Sequence, residues 1–166
     1  MSSTITKLNA PLTQAFDSQP LNDPQISATP TINAQTQRLA DFDTLTEALE
    51  YAAKGTTGYN FYDARGNLRS VLPYSILRQK ARISARRLSS LGLPHGSHVA
   101  IIADTSPEFV ELFFACRYAG LVPFAMPVPV NLGSHAMYVQ QLRAMLNSGQ
   151  ASIALANLDY VNFLEE

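Results

Sequence analysis

The sequence has 166 residues, 46% of them hydrophobic, with 12 Lys and Arg against 13 Asp and Glu and a net charge of -1. So balanced a charge gives no field that would gather nucleic acid or an anionic membrane. The single cysteine, Cys116, excludes an internal disulfide, and no apolar run approaches the roughly 18 residues of a membrane-spanning helix.

Residues 1–40 are rich in Ser, Thr, Asn, Gln and Pro, and Pro11, Pro20, Pro24 and Pro30 interrupt any helical pattern. A segment so poor in apolar surface cannot offset its chain entropy, so a mobile polar leader is expected. It lacks the basic-then-apolar order of a secretory signal, and a cytoplasmic setting is the default. Residues 41–166 are expected to hold the ordered part of the chain.

Thr44-Leu45-Thr46-Glu47 is a capping box, and Leu45, Ala48, Leu49 and Ala52 form one apolar helical stripe ending at Gly55. Tyr59–Asp63 and Leu68–Leu72 flank Ala64-Arg65-Gly66-Asn67, the pattern of a β-hairpin. Tyr74–Leu91 reads as a helix, with Leu77, Ala81, Leu88 and Leu91 on one side and Gly92 and Pro94 closing it.

The rhythm then changes. His98–Ala103, Leu121–Met126 and Ser152–Ala156 are short apolar runs with strand character. Between them lie two helices, one capped by the Thr105-Ser106-Pro107-Glu108 start and ended by Gly120. The other is capped by Ser134, with Val139, Leu142, Met145 and Leu146 inward and Gly149 at its end. Strand, helix, strand, helix, strand with short joints predicts a parallel sheet, and apolar strands predict cover on both of its faces. The fold class is α/β: a hairpin and helix followed by a parallel β-α-β-α-β unit.

Several of these segments resemble the opening of the adenylate-forming ligases, which activate a carboxylic acid with ATP as an acyl-adenylate. Leu72-Pro73-Tyr74-Ser75-Ile76-Leu77 is similar to that family's first core motif, with Pro73 in place of Thr or Ser. Gly96-Ser97-His98-Val99 resembles its next strand, and Pro107, Phe109, Phe113 and Cys116 its following helix. Ala119-Gly120-Leu121-Val122-Pro123 approximates the second core motif. Val122–Pro129, Leu132-Gly133-Ser134 and Tyr138–Leu142 look most like the fatty acyl-AMP ligase branch.

The resemblance implies the incomplete N-terminal subdomain of a fatty acyl-AMP ligase. The whole enzyme would use a fatty acid, ATP and Mg2+, with an acyl carrier protein as acceptor. The family's phosphate loop, adenine and ribose pocket and late lysine have no counterpart up to Glu166, so the chain alone is expected to be inactive and to self-associate through uncovered sheet edges. Catalytic, cofactor-binding and metal residues are therefore none in this stretch. An acyl-CoA ligase, another adenylating enzyme or a non-catalytic interaction module remain open readings at this point.

Residues whose types suggest chemistry have plainer readings beside them. Gly55-Thr56-Thr57-Gly58 copies part of a phosphate loop, but it precedes the first core motif and no Pro-Lys-Gly follows, so it reads as a joint. Arg78, Lys80, Arg82, Arg86 and Arg87 share a helix without an acid, which suits either a solvated face or an acidic partner. His95, His98 and His135 lack the ligand spacing of a zinc site. Cys116 sits among Phe113, Phe114 and Ala119 as a small buried hydrophobe would, and Asp104 precedes a helix cap.

Overall fold

The computed structural model describes residues 40–128, 135–157 and 160. The leader up to residue 39, Pro129 and the Ser134 cap lie outside the described residues. The elements are α1 (Leu45–Ala52), β1 (Gly58–Tyr62), β2 (Leu68–Pro73), α2 (Tyr74–Ser89), β3 (His98–Ile102), α3 (Pro107–Tyr118), β4 (Val122–Met126), α4 (His135–Ser148) and β5 (Ala151–Leu155).

α1 begins where the Thr44 side chain accepts from the backbone N–H of Glu47, while the Glu47 carboxylate reaches back to the N–H of Asp43. The hairpin pairs β1 antiparallel with β2, and Asp63 organises its turn by accepting from the backbone N–H groups of Arg65 and Asn67. Gly58 opens β1 because a Cβ there would collide with the carbonyl oxygen of Leu72 and the Cα of Pro73. The final glycine of the Gly55–Gly58 tetrad is thus required by the hairpin's open end. Thr57 also belongs to that joint, its carbonyl accepting from the N–H of Tyr74.

Three parallel strands form the second sheet in the order β4-β3-β5. Side chains alternate across a strand, so Val99 and Ile101 of central β3 face one way and Ala100 the other. On the first face they pack with Ala85 and Leu88 of α2, Leu112, Ala115 and Cys116 of α3, and Ile153 and Leu155 of β5. On the second face Ala100 and Met126 meet Leu142 of α4. Helices on both faces explain why β3 reads as an unbroken apolar run. β4 is less enclosed, with Val122 and Ala125 exposed, as befits an edge strand carrying Pro123.

Two local details depart from the expected pattern. Leu91 is 37% exposed because α2 ends at Ser89, and in the turn beyond it the helical spacing that would have set Leu91 beside Leu88 no longer holds. Gly149 ends α4 as expected, while the left-handed conformation falls on the next residue, Gln150 (φ 50). Gly149 is needed for space instead: a Cβ there would press on the Phe124 ring at 2.7 Å. Gly92 and Gly120 close α2 and α3 in the expected left-handed conformation, at φ 69 and φ 71.

Candidate functional site

Open parallel sheets present their loops for ligand binding at the carboxyl ends of the strands. Here that edge is marked by Asp104, two residues beyond β3. Its Oδ1 accepts from the Ser106 hydroxyl at 2.7 Å, and its Oδ2 accepts from the Asn157 amide, two residues beyond β5. Ser106 in turn accepts from the backbone N–H of Phe109 and caps α3, with Pro107 at its first position. Asp104 is therefore not the cap itself. It fixes the capping serine and ties the ends of two neighbouring strands.

A second polar cluster joins the three helices on the hairpin side. Glu50 of α1 receives the Arg78 guanidinium of α2 and, on its other oxygen, the Tyr118 hydroxyl of α3 at 2.8 Å; Arg82 stands 3.9 Å away. Burial alone would raise the Glu50 pKa, but hydrogen bonds from Arg78 and Tyr118 outweigh it and hold the carboxyl below the usual range. The Tyr118 hydroxyl is pushed up to about 12, first by burial and then by the carboxylate it serves. A third contact is fully enclosed: the Ser84 hydroxyl of α2 donates to Glu111 of α3 at 2.6 Å.

The remaining residues with suggestive chemistry hold structure. Cys116 is buried with its thiol pushed up to about 12 by desolvation, the state least suited to a nucleophile. The His98 ring Nδ1 lies 2.7 Å from the carbonyl oxygen of Gly149, linking β3 to the turn before β5. The His95 ring lies over Gly120, where a Cβ would strike it. His135 opens α4, in a different part of the fold from the other two.

No three His, Cys, Asp or Glu side chains converge on a metal-sized site among the described residues. Asp104 has both oxygens engaged by protein donors, so the set present does not fit a Mg2+ site and no step is derived through one. No helix of the described residues is long and apolar enough to cross a membrane. The Glu50 and Glu111 clusters were invisible in the sequence, since their partners lie 68 and 27 positions away. For Glu50 the sole hint was the acid-free basic run on α2, which requires a carboxylate from elsewhere.

The profile of the AMP-binding enzyme family matches residues 50–165. A Caulobacter vibrioides protein provisionally named an acyl-CoA synthetase is 43% identical over 142 residues, covering 86% of this chain and 25% of that protein. The medium-chain-fatty-acid–[acyl-carrier-protein] ligase JamA of Moorena producens is 28% identical over 131 residues, covering 76% of this chain and 22% of its own length. Among solved structures, one from work on the fatty acyl-adenylate ligases of E. coli and L. pneumophila is similar at 42% identity and a TM-score of 0.72. That match covers 77% of this chain and 23% of the other. The chain thus spans about a quarter of the length of the relatives it matches.

Proposed function

This chain belongs to the AMP-binding enzyme family, and on that premise we propose that it forms the N-terminal part of a fatty acyl-AMP ligase. The joint likeness in sequence and fold to a fatty acyl-adenylate ligase carries the reading. Residues 41–166 would supply one parallel sheet and its helices to a larger domain, with residues 1–40 as a leader.

In the reaction proposed for the whole enzyme, a carboxylate oxygen of the fatty acid bonds to the α-phosphorus of ATP. The bond from that phosphorus to the bridging oxygen breaks, and pyrophosphate leaves with the electron pair. Adenylate-forming enzymes use ATP and Mg2+; the groups that grip them here are proposed to lie outside residues 1–166. The described residues contribute scaffold: the Asp104 tie at the strand ends and the Glu50 and Glu111 clusters behind it. None is proposed to be catalytic.

The acyl group is proposed to pass from AMP to the thiol of an acyl carrier protein. Coenzyme A is the second reading, favoured by the name of the Caulobacter relative. Acid-dependent exchange of pyrophosphate into ATP, measured on the enzyme containing these residues with fatty acids of graded length, tests the first step. Supplying holo-carrier protein or coenzyme A in parallel then decides the acceptor. Exchange driven by amino acids but not fatty acids would contradict the substrate class.

A further inference from the structure

We draw no further inference here: the strongest candidate, the exposed apolar patch of Tyr62, Leu68 and Val71 on the β1–β2 hairpin, is an unpartnered surface, and nothing in the structure shows what covers it.

Discussion

The Tyr118 hydroxyl donates to the Glu50 carboxylate at 2.8 Å across 68 residues of sequence, and because Glu50 also accepts from Arg78 it joins α3, α1 and α2. Tyr118→Phe removes one donor and keeps the ring, so urea denaturation should show a loss of about 0.5–1.5 kcal/mol. A neutral result would mean that water replaces the hydroxyl at Glu50.

The same carboxylate sets a pH dependence with a definite sign. In the folded chain its pKa lies below that of an ordinary glutamate, so the stability it adds is complete above the ordinary value and is lost as pH falls through the depressed one. Glu50→Gln should therefore be less stable than the parent at neutral pH. The gap between them should close in acid, as read by thermal melts across pH 3 to 7. A gap that widens in acid would reverse the assignment.

Core and surface positions on α2 should separate cleanly. Leu77 is 0% exposed and packs with Leu49, Phe61 and Leu72, so Leu77→Ala should cost about 2–5 kcal/mol. Ile83→Ala, on the exposed side of the same helix, should stay within about 1 kcal/mol. Chemical denaturation of the two variants measures both.

Ser84 and Glu111 form a pair that is costly to break singly. Ser84→Ala leaves the buried carboxylate without its 2.6 Å donor and should cost about 1–3 kcal/mol. Adding Glu111→Leu should recover part of that loss, giving a double-mutant coupling of opposite sign to the single effects. Strict additivity would show that the two side chains do not interact.

How legible these features were follows from the range of the forces involved. Helix and strand placement rests on local signals, and the Thr44 capping box, the Ser106-Pro107 start and the glycines at 92 and 120 marked their elements correctly. The parallel sheet followed from the alternation of strand and helix. The pairing order β4-β3-β5 did not, because nothing local to Val122 or Ala151 says which flank of β3 each will take. Gly149 does end α4 as its position suggested, but the reason it must be glycine, the Phe124 ring, comes from β4 and left no local signal. The Asp104–Asn157 tie spans 53 residues and had no sequence signal at all.

Ligand binding tests the account's central claim most directly: these residues are scaffold for nucleotide chemistry performed by groups outside residues 1–166. Titrating the chain calorimetrically with ATP, and then with a non-hydrolysable acyl-adenylate analogue, should give no saturable heat. Saturable binding in the micromolar range would place a working nucleotide site within these residues and contradict it.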